Sequence, residues 1–212
     1  MRPVELPGRG ARLGERLHTN MTELVRELSG TVMQNMREPF AFFGHSLGAL
    51  VAFEVAHAVR AASGVEPAIL FASGANAPSR RNDARFLEPL SDSDLIGEMR
   101  RLNGTTAAVF ENRELLDMAL PIVRADFQLC GSFNYRRRPR LRAAIHVFGG
   151  ADDASSTQLV AWGEETSGVH TCHTLPGDHF FIHSREQQVL ELLTIRAREV
   201  CTVEGSLEAA YE

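Results

Sequence analysis

Residues 40–56 read FAFFGHSLGALVAFEVA and combine a strand pattern, a tight turn and a helix pattern. Its first four residues form a short apolar run of the kind that a parallel sheet buries on both faces. Its second half is rich in alanine and suits a helix. Between the two lies a Gly-x-Ser-x-Gly sequence, in which a strand turns abruptly into a helix. The turn forces its central residue into a strained conformation, and we expect the glycines on either side to remove side chains that would clash there.

Ser46 occupies the centre of this turn. The geometry predicts that its Oγ is presented at the top of the sheet, as a nucleophile requires. The amide of Leu47, at the start of the following helix, would face a negative charge that forms nearby. The alternative is an ordinary serine in a glycine-rich turn.

The rest of the chain alternates between strand and helix patterns. Apolar runs predict further strands over residues 69–72, 143–148 and 169–175, and helical spacing is found over residues 21–36, 91–102, 112–130, 155–165 and from 184 onward. Pro121 is a predicted kink or boundary in its helix. The pattern predicts an α/β fold with a mostly parallel sheet, helices on both faces and a single domain over residues 1–212. The segment from about 76 to 140 is too long for a plain connection, and we expect a helical lid there, inserted before the strand predicted over residues 143–148.

A serine nucleophile needs a base and a group that orients the base. In parallel sheets such groups lie in loops at the carboxyl ends of strands. His179 follows a strand end and precedes two phenylalanines, so it is the predicted base. Asp153 follows another strand and is the predicted orienting group, with Asp152 as the alternative. Of the other seven histidines, His45 is interpreted as a bystander that points away from Ser46.

Asp178 and Asp126 are assigned to structural roles. Asp178 is adjacent to the predicted base, and we expect it to cap its turn through an Asx-type hydrogen bond. Asp126 falls within a predicted helix of the lid, and we expect a solvated or salt-bridged side chain.

Composition argues against several classes of function. The net charge is −5, which does not suit wholesale nucleic-acid binding. No apolar stretch approaches the ~20 residues that span a bilayer, and the N-terminus lacks the apolar region of a signal peptide. Three cysteines without Cys-x-x-Cys spacing argue against a disulfide framework or a metal site. We therefore expect a cytoplasmic protein with no nucleic-acid or membrane partner.

Together these motifs resemble a known family, the stand-alone type II thioesterases of polyketide and nonribosomal peptide synthesis, which are α/β-hydrolases. The resemblance covers nearly the whole chain and rests on PGRG (7–10), GHSLGA (44–49), RADF (124–127), FGG (148–150) and GDHFF (177–181). It implies hydrolysis of acyl thioesters on the phosphopantetheine arm of an acyl or peptidyl carrier protein, which clears stalled or mis-primed chains. It also implies a monomer with no cofactor of its own.

Carried over by position, the resemblance makes Ser46 the nucleophile, His179 the base, Asp153 the orienting acid and the Leu47 amide the first oxyanion donor. Two neighbours of Asp153 depart from the family pattern, because Ala151 replaces an acidic residue and Ala154 a proline. Family members also begin with a strand, a His-Ala-Gly-Gly-type loop and a helix. This sequence starts after them, and the loop supplies the second oxyanion amide, so we expect low activity from the chain as written.

Two other functions are compatible with the same residues. The same triad would serve a carboxylester hydrolase or an acyltransferase that passes the chain to an acceptor other than water. Alternatively, the chain is a non-catalytic protein that only docks on a carrier protein. The arginine-rich run over residues 136–140 is a candidate surface for an acidic carrier protein, and a solvated loop is the alternative.

Overall fold

Four parallel strands form the sheet, in a computed structural model that describes residues 2–154 and 157–208, with side chains to residue 199. The strands lie side by side in chain order: β1 (Ala41–His45), β2 (Ile69–Ser73), β3 (Ala144–Gly150) and β4 (His170–Leu175). Their register aligns the carboxyl ends, because His45 is opposite Ser73 and Ser73 is opposite Phe148. The predicted α/β fold with a parallel sheet is confirmed.

The helices occupy the connections between strands and both flanks of the chain. They are α1 (Met21–Asn35), α2 (Leu47–Ser63), α3 (Asp92–Leu102), α4 (Ala107–Glu111), α5 (Arg113–Ser132), α6 (Phe181–Ser184) and α7 (Glu186–Glu208), with short 3-10 turns at Gly10–Arg12, Pro78–Arg80, Ala84–Phe86 and Leu159–Glu164. The chain divides into two compact units. One comprises Met1–Glu27 with Arg81–Arg136, and the other Leu28–Arg80 with Arg137–Glu212. The lid role for residues 76–140 stays a prediction.

Two sequence predictions differ from the structure. The helix expected over 155–165 is a 3-10 helix at Leu159–Glu164, while Ser155 and Ser156 lie outside the described residues. Pro121 does not end its helix, because α5 runs through it to Ser132. Leu120 is buried beside Pro121 in the core of its unit, and this packing stabilises the helix across the missing amide.

The sheet of the second unit is covered on both faces. On one face Leu70 and Ala72 of β2 pack with Phe53 of α2 and with the buried Trp162. On the other face Ile69 and Phe71 pack with residues of α6 and α7, namely Phe181, Val189 and Leu193. β2 is buried along its whole length, which explains why its sequence is an unbroken apolar run. The predicted helices on both faces are confirmed.

The first unit has its own apolar cluster around Leu95, Met99 and Leu120. It also contains the ion pair between Arg9 and Asp126. The two terminal guanidinium nitrogens of Arg9 donate to the two carboxylate oxygens of Asp126 at 3.0 and 2.9 Å. This bidentate geometry joins the PGRG and RADF segments. The expectation that Asp126 is a salt-bridged residue is confirmed.

Two buried imidazoles are expected to make the protein less stable in acid. His57 and His146 are 6% and 3% exposed. Burial, aided by the charges of Arg138 and Arg60, lowers the pKa of His57 from 6.5 to about 3. Burial, aided by Arg196, lowers the pKa of His146 from 6.5 to about 4. Below pH 6.5 the unfolded chain therefore binds protons that the folded chain excludes, so stability is present above that pH and is lost as the pH falls.

Well below pH 6.5 each of these groups changes the free energy of unfolding by about 1.4 kcal/mol per pH unit, and near pH 6.5 by about half of that, because the unfolded imidazole is then half protonated. We expect urea unfolding to show a loss of about 3 kcal/mol from the two groups between pH 6.5 and about pH 5. His57→Phe removes one titrating group beside Phe53 and should reduce that loss by about half. Equal losses in the two proteins would contradict the assignment.

Candidate active site

Ser46 adopts the strained conformation that the sequence predicts. It follows β1 directly, with φ 55° and ψ −117°, and α2 begins at the next residue. Its backbone N–H donates to the carbonyl of Ser73 at 2.7 Å, which ties the turn to the end of β2. A Cβ at Gly44 would lie 2.1 Å from the carbonyl oxygen of Gly48, so only glycine fits at position 44.

Gly48 differs from the expectation for the second glycine. A Cβ at Gly48 would meet nothing within 4 Å, so space does not require glycine there. The close approach in this turn is one-sided, because the Cβ of residue 44 would point at the backbone of residue 48.

Two loops at the same edge of the sheet bring an aspartate and a histidine to Ser46. The loop after β3 is tied to the loop after β4, because the N–H of Asp152 donates to the carbonyl of Gly177 at 3.0 Å. Gly150 allows this approach, since a Cβ there would lie 2.3 Å from the carbonyl oxygen of Asp178. The loops after β3 and β4 therefore meet at the carboxyl edge of the sheet, the edge at which β1 also ends.

Ser46, His179 and Asp153 form one hydrogen-bond chain. His179 Nδ1 lies 2.9 Å from Asp153 Oδ2, and His179 Nε2 lies 2.9 Å from Ser46 Oγ. A carboxylate only accepts, so Nδ1 donates to Asp153. In the neutral ring Nε2 then accepts from the Ser46 hydroxyl. This is the arrangement in which an imidazole can take the serine proton.

Burial distinguishes the two adjacent aspartates that the sequence left open. Asp153 is 8% exposed and His179 4%, so their hydrogen bond is shielded from water. Asp152 is exposed, and the structure brings Asp153, rather than Asp152, to the imidazole. Asp178 accepts from the N–H of Phe180 at 2.9 Å, and this confirms the Asx-type bond expected for it.

Leu47 is the first residue of α2. The first amides of a helix have no acceptor within the helix, and they carry the positive end of its dipole. The Ser46 amide is already bonded to Ser73, so Leu47 contributes the nearest amide that can face an oxyanion beside Ser46 Oγ.

His45 is a residue that the sequence interpretation set aside. Its ring lies against the ring of His179, with 5.0 Å between the centroids. Position alone carried a signal, because a side chain directly before the nucleophile at a strand end must lie at the same edge of the sheet as the base. The contact itself depends on the loop that carries His179, which is distant in sequence.

The fold and this edge of the sheet define the class of protein. A parallel sheet with helices on both faces and a serine at the turn from β1 to α2 is the architecture of the α/β-hydrolases. The thioesterase-domain family model matches residues 1–196, and the chain belongs to this thioesterase family. It is an enzyme that acts on thioesters, and the resemblance to type II thioesterases is confirmed.

Several of the similar proteins are named for biosynthetic pathways. The chain is 39% identical over 196 residues to the linear gramicidin dehydrogenase LgrE of Brevibacillus parabrevis, covering 90% of this chain and 74% of that protein. It is 37% identical over 199 residues to the gramicidin S biosynthesis protein GrsT of Aneurinibacillus migulanus, covering 93% and 78%. The structure of BorB, a type II thioesterase from the borrelidin biosynthetic cluster, superposes with a TM-score of 0.81 at 35% identity, covering 90% and 78%.

Two further features concern metals and membranes. Within residues 2–154 and 157–208, no three histidine, cysteine, aspartate or glutamate side chains are grouped as a metal site. In the same part of the chain, no helix combines the length and the apolar character that crossing a bilayer requires.

Proposed function

We propose that this thioesterase hydrolyses acyl thioesters on the phosphopantetheine arm of acyl or peptidyl carrier proteins, with Ser46, His179 and Asp153 as its catalytic residues. The observation that supports this most strongly is the unbroken hydrogen-bond chain from Asp153 through His179 to Ser46. The named pathways of GrsT and BorB support the substrate class, because such pathways carry acyl chains as thioesters.

The first half of the reaction forms an acyl-enzyme. Ser46 Oγ attacks the thioester carbonyl while His179 Nε2 takes the hydroxyl proton. Asp153 stabilises the resulting imidazolium through its bond to Nδ1. The Leu47 N–H donates to the oxyanion of the tetrahedral intermediate. When that intermediate collapses, the carbon–sulfur bond breaks and the pantetheine thiol leaves with the proton from His179.

The second half regenerates the serine. Water enters, and His179 takes its proton as the water oxygen attacks the acyl carbonyl. The bond to Ser46 Oγ then breaks, the serine recovers a proton from His179, and the free acid leaves. No cofactor of the protein takes part, because the phosphopantetheine arrives with the carrier protein.

Partner and location follow from the same proposal. We propose that a single chain is the active form, because one chain supplies all three catalytic side chains. Arg137 and Arg140 are exposed in the arginine-rich run and could meet an acidic carrier protein. We place the reaction in the cytoplasm, beside the polyketide or nonribosomal peptide synthase whose carrier proteins bear the substrate.

A comparison of acyl donors tests the substrate class. We expect kcat/KM for a propionyl-carrier protein to exceed that for propionyl-pantetheine at least about tenfold, which corresponds to about 1.4 kcal/mol of binding to the carrier protein. The double variant Arg137→Glu/Arg140→Glu should lower kcat/KM for the propionyl-carrier protein. Its kcat/KM for propionyl-pantetheine should stay the same and is the internal control.

The alternatives give different products. Faster turnover of p-nitrophenyl esters than of thioesters would indicate a carboxylester hydrolase. Transfer to an added amine or alcohol in preference to water would indicate an acyltransferase. Carrier binding without release of acid would indicate a docking protein.

A further inference from the structure

The His45 ring forms one wall of the space that holds His179. The centroids of the two rings are 5.0 Å apart, and the planes are tilted by 49°. His45 also contacts Phe180 and Phe181, with centroid distances of 5.7 and 5.9 Å. His179 packs in turn edge-on against Phe180 at 5.0 Å. Two rings, one from β1 and one from its own loop, therefore bound the imidazole of His179.

The end of β2 is shaped around the His45 ring. His45 Nδ1 lies 3.0 Å from Ser73 Oγ, and Ser73 is fully buried. The next residue, Gly74, has φ +60°, and a Cβ there would lie 2.5 Å from His45 Cε1. A side chain at position 74 would therefore displace the ring. A hydrogen bond and a glycine thus hold one orientation of the His45 side chain.

Burial keeps the His45 ring neutral at physiological pH. Burial is the main cause, and the adjacent His179 adds to it, so that the pKa of His45 falls from 6.5 to about 4. The other titratable groups that face it are Asp153, which raises the pKa, and His183 of α6, which lowers it. A neutral ring matters beside a catalytic histidine, because a second cation would repel the imidazolium that forms during acylation.

We propose that His45 is a positioning residue, which holds the His179 imidazole in line with both Ser46 and Asp153 through its bond to Ser73. This inference rests on the proposed triad. The two hydrogen bonds of His179 are both 2.9 Å long, and a rotation of the ring away from this orientation would lengthen at least one of them. Misalignment of about 1 Å at a reacting group can reduce a rate on the order of 10²-fold.

Variants at both ends of the His45–Ser73 bond test this inference. We expect His45→Ala to lower kcat for acyl-carrier hydrolysis about 10²-fold, with KM changed less than about twofold, because alignment and not substrate binding is lost. His45→Phe keeps a ring without the bond, and Ser73→Ala removes the bond from the other side. Each of these two variants should lower kcat about tenfold. The double variant His45→Phe/Ser73→Ala should have about the same kcat as either single variant, because both substitutions remove the same hydrogen bond.

Two controls separate this inference from the proposed function. His170→Asn, on β4, alters a histidine outside the site and should keep its full rate. Ser46→Ala should be inactive. If the His45 and Ser73 variants fold and keep kcat within about twofold while Ser46→Ala is inactive, the positioning role is wrong and the proposed function stands. If Ser46→Ala keeps its activity, the proposed function itself is wrong.

A measurement on the unaltered protein decides the case in which the variants fail to fold. The ring protons of His45 and His179 should show a direct nuclear Overhauser effect in the folded protein at neutral pH. Its absence would show that the two rings are apart and would overturn the inference.

Discussion

Ser46→Ala is expected to lower the hydrolysis rate of an acyl-carrier thioester on the order of 10⁶-fold. Without the hydroxyl, no covalent intermediate can form. His179 Nε2, which lies 2.9 Å from Ser46 Oγ, then has no hydroxyl proton to accept. Alanine is small and the site is partly exposed, so the fold should be retained. The measurement is release of free acid in a single-turnover assay with a radiolabelled acyl-carrier protein.

Ser63→Ala provides a matched control for the nucleophile. Ser63 is exposed at the last turn of α2, the helix that begins directly after Ser46, and its hydroxyl donates to the carbonyl of Val59 and accepts from the N–H of Val65. The hydrolysis rate of the Ser63→Ala variant should stay within about twofold of that of the unaltered protein, because surface substitutions usually have small effects. A Ser46→Ala protein that is folded and hydrolyses the substrate at a comparable rate would show that another group is the nucleophile.

Asp153→Asn is expected to lower kcat about 10⁴-fold with little change in KM. The amide can donate to Nδ1 and so favour the tautomer in which Nε2 carries the hydrogen. A ring in that tautomer cannot take the Ser46 proton. The amide also lacks the charge that stabilises the imidazolium, in a position only 8% exposed, where the loss of that charge is not offset by water.

Asp152→Asn is the control for the orienting acid, because the two residues are adjacent and differ in exposure. Asp152→Asn should keep kcat within about twofold, because the bond of Asp152 to the neighbouring loop is made by its backbone N–H, which the substitution retains. If Asp152→Asn were the inactive variant and Asp153→Asn the active one, the loop would have to adopt a different arrangement when substrate binds.

The strand-to-helix turn at Ser46 was predictable from sequence because its requirements are local. An apolar run, a glycine at position 44 and a helix-forming segment specify the turn without any distant contact. The order of Ser46, Asp153 and His179, each after a predicted strand, was likewise enough to place them at one edge.

The finer choices depended on contacts between segments that are distant in sequence. Asp152 and Asp153 are equivalent by pattern, and burial against the His179 loop distinguishes them. The continuity of α5 through Pro121 depends on packing against α3. The position of His45 against His179 depends on the loop after β4 and on the space that Gly74 leaves.

Reaction with a fluorophosphonate tests whether Ser46 is an activated nucleophile, because this probe bonds covalently to a serine that a neighbouring base activates. We expect one adduct per chain, located by peptide mapping on Ser46, and its loss in the Ser46→Ala and His179→Ala variants. An adduct on another residue, or undiminished labelling when His179 is removed, would contradict this expectation.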